Sequence, residues 1–114
     1  MEVIKNGKNI AKVIKGIKGT DFQKKVWSEI CKIESGKVLT YQDIARNIGR
    51  PKSSRAVANA CGKNPYIEII PCHRVIRSDG KLGGYSGKGG IDRKKKLLIS
   101  EGVNFNNDTK LTRN

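Results

Sequence analysis

The sequence predicts a mostly helical α+β domain built around a helix-turn-helix, with a short β-hairpin in front of it. Three observations carry that expectation. Apolar residues recur at helical spacing in four segments between residues 20 and 100. Gly49-Arg50-Pro51 separates two of these segments by the short break that a helix-turn-helix needs. The extended apolar runs, at residues 67–70 and 75–76, are too short to build a large sheet. With 114 residues the chain has room for one core. The expected organisation is a hairpin extension at 1–18, a folded domain at 19–103 and a polar tail at 104–114.

The elements follow in order. Asn6-Gly7, between Val3-Ile4 and Ile10, is the turn signal for the hairpin, because both central residues take positive φ. Thr20 and Gln23 form a capping box for a helix over 20–34, with Phe22, Val26, Trp27, Ile30 and Ile33 on one face. Ser35-Gly36 ends it. Thr40 caps a short second helix with Ile44, Ala45 and Ile48 inward. A third helix runs from about Ser53 to Cys61 and stops at Gly62 and Asn64-Pro65. Ile67, Ile69 and Ile70 read as a buried extended run stopped by Pro71, which Val75 and Ile76 continue after a turn. Residues 83–90 are a glycine-rich loop. The last helix spans about Asp92 to Ser100, with Leu97, Leu98 and Ile99 apolar and Gly102 as its stop.

Lys and Arg number 24 against 10 Asp and Glu, a formal net charge of +14. Such a surplus attracts polyanions, nucleic acid first among them. The alternative is lysine spread over solvated faces with no specific partner. The basic residues are not gathered on one amphipathic helix, which argues against a membrane surface. No apolar run approaches the roughly 18–20 residues of a membrane span, and the N-terminus has no apolar stretch typical of a secretory leader. Three cysteines, an odd number, then fit a reducing intracellular compartment. There is no CxxC pair and a single histidine, so no structural metal is expected.

Two segments stand out chemically. The helix from Ser53 carries Ser, Ala and Val on nearly every face and one long cation, Arg55. It either packs tightly on another helix or approaches another surface closely. The segment Ile69-Ile70-Pro71-Cys72-His73-Arg74-Val75 places a cysteine beside the chain's single histidine. A base or cation that lowers a thiol pKa makes the thiolate nucleophile. Neighbouring side chains on extended backbone point apart, so His73 needs a turn or a bridging water to serve Cys72. Glu101 is a candidate third group. Cys31 and Cys61, among apolar neighbours, read as small core fillers. The glycine loop lacks Walker spacing and suits a lid with Tyr85 as an aromatic wall. Arg93-Lys94-Lys95-Lys96 reads as the solvated face of a helix.

The string IPCHRV at 70–75, preceded by Asn64-Pro65 and followed by Gly84-Tyr85-Ser86-Gly87, resembles the O6-alkylguanine-DNA alkyltransferases (methylated-DNA–protein-cysteine methyltransferases). So does the order FQKKVW, VLTYQDIA, SSRAVANA and RKKKLLISEG; the resemblance covers about residues 20–103. It implies a winged-helix-like alkyltransferase domain in which Cys72 accepts the alkyl group. His73 would take its proton through a water, with Glu101 behind it. Asn64 would brace the turn and Tyr41 would donate to the leaving guanine. Tyr85 and Ser86 would wall the pocket and contact the alkylated oxygen, and Val75 would give backbone contacts to the base. Ser53, Ser54, Arg55, Ala56, Ala58 and Asn59 would meet the DNA minor groove, whose narrowness suits small side chains. Arg55 would fill the gap left by a flipped nucleotide. The implied partner is double-stranded DNA carrying O6-alkylguanine, met by a monomer without a cofactor. The implied reaction is irreversible and occurs once per molecule.

The sequence departs from the family pattern in having only the expected hairpin before residue 19, two extra residues in YSGKGGID and an extra C-terminal tail. The rival reading is a non-enzymatic alkyltransferase-like lesion binder, against which Cys72 decides. A cysteine hydrolase lacks an oxyanion-hole motif here, and a plain helix-turn-helix regulator leaves PCHRV unexplained.

Overall fold

A computed structural model describes Ile14, residues 16–67 and residues 69–105. The described part is four α-helices, one 3₁₀ turn and two short strands. These are α1 (Asp21–Ile30), β1 (Leu39–Thr40), α2 (Tyr41–Asn47), α3 (Ser54–Gly62), the 3₁₀ turn (Cys72–Arg74), β2 (Val75–Ile76) and α4 (Gly90–Ser100). The result is the mostly helical α+β arrangement that the sequence predicts.

Local chemistry sets the helix ends. At α1, Gln23 N–H donates to Thr20 Oγ1 at 3.0 Å and Thr20 N–H to Gln23 Oε1 at 2.9 Å. At α2 the same reciprocal box forms between Thr40 and Asp43, both bonds 2.9 Å. This satisfies two donors that a helix start leaves orphaned. α4 ends in a Schellman motif: Gly102 N–H bonds the Ile99 carbonyl and Val103 N–H bonds Leu98. Gly102 has φ +91°, the left-handed conformation that this cap requires.

The helices pack through one main core. Val26, Trp27 and Ile30 of α1 meet Ile44 and Ala45 of α2 and Val57, Ala60 and Cys61 of α3. Trp27 Nε1–H donates to the Ala60 carbonyl at 2.9 Å, so the largest core side chain also ties α1 to α3. A second cluster joins Ile76, Leu82, Leu98 and Val103 beneath α4. β2 links the two: successive strand side chains point to opposite faces, so Val75 enters the first cluster and Ile76 the second. β1 pairs with β2 in parallel, Leu39 opposite Val75 and Thr40 opposite Ile76.

Several expectations change. Most of the hairpin segment 1–18 and tail residues 106–114 lie outside the described residues. Ile14 and Gly16 have helical rather than extended backbone, and Ile14 is buried in the main core. α1 stops at Ile30, and Ile33 reaches the core from the following turn. α3 begins at Ser54 and α4 at Gly90. Ile69 is half exposed rather than buried, because Tyr66–Ile70 closes into a turn with Ile70 N–H on the Tyr66 carbonyl. Among Leu97, Leu98 and Ile99, the helical period buries Leu98 alone. The sequence reading did not include the strand at Leu39–Thr40.

Candidate active site

Cys72 opens the 3₁₀ turn directly after Pro71. Its N–H bonds the Ile70 carbonyl at 2.7 Å, and Arg74 N–H bonds the Pro71 carbonyl at 2.9 Å. Buried Asn64 holds the turn from outside. Its Nδ2 donates to the Ile70 carbonyl at 2.7 Å and to Cys72 Sγ at 3.2 Å, while its Oδ1 accepts from Tyr66 N–H at 2.8 Å. One amide side chain thus fixes both the backbone before the cysteine and the sulfur itself. Cys61 beside it, and then burial, push the Cys72 thiol far above its ordinary range, while the Asn64 hydrogen bond and Lys94 pull the other way. That balance favours the thiol over the thiolate at Cys72. Cys61 fills the core as its apolar neighbours suggest, and it also lines the cleft beside Cys72. Burial likewise pushes the Cys31 thiol up to about 12, and Cys72 adds to that shift.

The 3₁₀ turn also aims His73 and Arg74 at one carboxylate. His73 Nε2 lies 3.1 Å from Glu101 Oε2. Arg74 forms a two-pronged pair with Glu101, Nε to Oε1 at 3.0 Å and Nη2 to Oε2 at 2.6 Å, and its Nη1 donates to the Ile33 carbonyl at 2.7 Å. Burial acts to raise the Glu101 pKa, but hydrogen bonds from Arg74 and His73 outweigh it and hold the carboxyl below its usual range. An ionised carboxylate only accepts, so His73 Nε2 is the nitrogen that donates to Glu101. Sequence reasoning assigned Arg74 no role; its signal is its place one residue after the candidate base.

In front of Cys72 lies a cleft of about 880 Å³. Buried Cys72 and half-buried Tyr41 form its floor. Ser54, Arg55, Ala58 and Asn59 of α3 form one wall, and Gly83–Ser86 the other. Burial, then the neighbouring Cys61 and Cys72, push the Tyr41 hydroxyl well above its ordinary pKa, so it remains a donor. Gly83 lets the loop come close: a Cβ there would stand 2.9 Å from Tyr41 Oη. Arg77, paired with Asp79 at 2.8 Å, adds a rim cation that the sequence did not single out.

The structure therefore gathers Tyr41, Ser54, Arg55, Ala58, Asn59, Cys72, Tyr85 and Ser86 around one cleft. Asn64, His73 and Glu101 stand behind Cys72. Val75 lies in the core, with its carbonyl bound to Lys94. Ser53 and Ala56 do not line the cleft. Lys94 corrects the reading of 93–96 as a solvated face: it is fully buried. Its signal is its spacing, since it lies four residues before buried Leu98 on the same helix face. Among the described residues no three His, Cys, Asp or Glu side chains gather to hold a metal ion. Nor, among them, is any helix long and apolar enough to cross a membrane.

The family model described as 6-O-methylguanine DNA methyltransferase, DNA binding domain, matches residues 21–103. The chain belongs to this methyltransferase family. A methylated-DNA–protein-cysteine methyltransferase of Methanosarcina barkeri is 53% identical over 87 residues, which are 76% of this chain and 54% of that relative. The solved structure of a Mycobacterium tuberculosis methyltransferase, OGT, in complex with DNA superposes with a TM-score of 0.71 at 49% identity, over 75% of this chain and 51% of that one. The S. pombe protein Atl1, solved with damaged DNA containing O6-carboxymethylguanine, matches at a TM-score of 0.67 and 33% identity, over 86% of this chain and 93% of its own. The chain thus spans about half the length of the two methyltransferases. Every element that builds the cleft falls within the matched methyltransferase segment.

Proposed function

We propose that this chain repairs double-stranded DNA by moving an alkyl group from guanine O6 to Cys72 Sγ, once per molecule. The observation that carries the proposal is a buried, braced cysteine at the floor of a cleft whose outer wall is a helix of small side chains. In the reaction the Cys72 proton passes through a water to His73 Nδ1, and Glu101 stabilises the imidazolium. The thiolate attacks the alkyl carbon; the S–C bond forms as the C–O6 bond breaks. Tyr41 donates a hydrogen bond to the departing guanine. The product is a thioether, so the cysteine is consumed.

A guanine stacked in a duplex is out of reach, and flipping it costs a few kcal/mol. Ser53, which precedes α3, and the α3 residues Ser54, Ala56, Ala58 and Asn59 suit the narrow minor groove, with Arg55 entering the stack behind the extruded base. Tyr85 and Ser86 receive the base, and Val75, whose side chain is buried in the core, offers it backbone contact only. The setting is intracellular, where an acceptor thiol stays reduced, and the protein acts as a monomer. The likeness to the S. pombe protein bound to damaged DNA favours a second reading, lesion binding without transfer. Cys72 in the cleft favours transfer.

Intact-mass measurement after mixing with duplex DNA containing O6-methylguanine separates the two. A gain of one methyl group, mapped to the Cys72 peptide, is expected. An unchanged mass with the duplex bound would leave the binding reading in its place.

A further inference from the structure

Cys72 does not face the cleft alone. Cys61, from the last turn of α3, lines the same cleft, and both residues belong to the main core cluster. Both are free, buried thiols. One residue ties them together: Asn64 N–H donates to the Cys61 carbonyl at 3.2 Å, while Asn64 Nδ2 donates to Cys72 Sγ at 3.2 Å. The two thiols are hydrogen-bond partners, and Tyr41 and Lys94 each face both of them.

Alkyl transfer uses one sulfur. The second works against it, because Cys61 raises the pKa of the acceptor thiol. Packing does not require sulfur there either, since the adjacent core position of α3 is filled by Ala60.

Two adjacent thiols have a chemistry that one lacks. A peroxide oxidises a cysteine to a sulfenic acid, which condenses with a second thiol to a disulfide. Without that neighbour it goes on to sulfinic and sulfonic acids, which thiols do not reduce. A sulfur used once per molecule is then lost before it meets a lesion.

We propose that Cys61 is the resolving thiol for Cys72, and that hydrogen peroxide converts the pair to a reversible Cys61–Cys72 disulfide that closes the acceptor to alkylation. The consequence for repair rests on the transfer reading above; the bond itself does not. Cys72 Sγ attacks one peroxide oxygen as the O–O bond breaks, leaving a sulfenic acid and a water. Cys61 Sγ then attacks the Cys72 sulfur. The S–S bond forms, the S–O bond breaks, and the Cys61 proton leaves with the hydroxyl as a second water. The two thiols give up two electrons, and one peroxide is reduced to two waters. Thiol exchange at the disulfide reverses the change. A Cβ at Gly62 would touch nothing within 4 Å, so the end of α3 has room to bring the two residues to disulfide spacing. Cys31, the remaining cysteine, does not line the cleft.

The test treats the reduced full chain with excess hydrogen peroxide, blocks remaining thiols with N-ethylmaleimide in denaturant, and digests without reductant. A linked Cys61–Cys72 peptide, an intact mass lower by two hydrogens before blocking, and maleimide on Cys31 alone are expected. Transfer from the free nucleoside O6-benzyl-2′-deoxyguanosine should fall in step with the linked fraction, and dithiothreitol should restore it. Cys61→Ser under the same peroxide should lose transfer without recovery, as Cys72 passes to sulfinic acid.

Absence of the linked peptide, a link to Cys31 in its place, transfer undiminished in the linked protein, or equal recovery in Cys61→Ser would overturn the proposal. If that variant does not fold, the linked peptide of the unsubstituted protein decides. If the unsubstituted protein takes no benzyl group before peroxide is added, the transfer reading itself falls, and the linked peptide still decides whether the disulfide forms.

Discussion

Cys72 faces two opposed requirements. Cys61 and then burial push its thiol pKa up, whereas attack on an alkyl carbon needs a thiolate. On the proposed reading, the His73–Glu101 pair would reconcile them by offering a base that acts when substrate is in place. Cys72→Ala should abolish alkyl transfer and leave duplex binding unchanged, as mass and band-shift measurements on one sample will show. Transfer that persists, or moves to Cys61, would refute the assignment. Exposed Arg55 on the cleft wall tests flipping separately from chemistry. Arg55→Ala should slow single-turnover repair in duplex DNA at least tenfold, about 1.4 kcal/mol, and scarcely alter reaction with the free nucleoside. Equal slowing on both would point to a pocket defect. Glu101 provides a pH signature. Its folded pKa lies below its ordinary value of 4.5, so its contribution to stability is complete above that value. The contribution is lost as pH falls through the lower, folded value. Glu101→Gln should therefore lower the unfolding midpoint at neutral pH, and the gap from the unsubstituted protein should close in acid. A gap that stays constant down to about pH 2 would contradict the ion-pair account.

Elements decide which residues meet, and two glycines separate fold from site at this scale. A Cβ at Gly102 would touch nothing within 4 Å, so Gly102→Ala meets only the backbone cost of φ +91°, about 1–2 kcal/mol. The thermal midpoint should fall while the transfer rate at moderate temperature holds. Gly83→Ala would set a methyl against Tyr41 Oη and should slow transfer well beyond its effect on the midpoint. If the two variants lose stability and rate in the same proportion, the loop is not a separate part of the site. The capping residues Thr20, Gln23 and Thr40 were legible because capping is local chemistry. Cys72, Asn64 and Tyr41 were legible as a group through the spacing of a family motif. The β1–β2 pairing was not, because two-residue strands show no period and their partners are 36 positions apart. Lys94 was hidden by its neighbours: three adjacent cations obscure the one that the helical period turns inward. The resting state of Cys72 was equally hidden, since nothing in the order of residues says that Cys61 comes to lie beside it.

At the scale of the molecule, the net charge of +14 should act as a binding device. Each duplex phosphate contacted contributes about −0.9 to the slope of log K against log salt. Affinity for undamaged duplex should therefore fall steeply between low and physiological salt. A flat response would mean that the lysines are merely solvated. The carboxylate that joins His73 to Arg74 has a further consequence, in the time order of synthesis. Arg74 binds backward in the chain to Ile33 and forward to Glu101, 27 positions later. A ribosome adding about 5–20 residues per second needs roughly 1–5 s to cover that interval. Through it Cys72, His73 and Arg74 have been made, but the anion that holds His73 and Arg74 has not. On the proposed reading, Cys72 and His73 therefore gain their ion-paired support only after α4 and Glu101 have left the ribosome and docked.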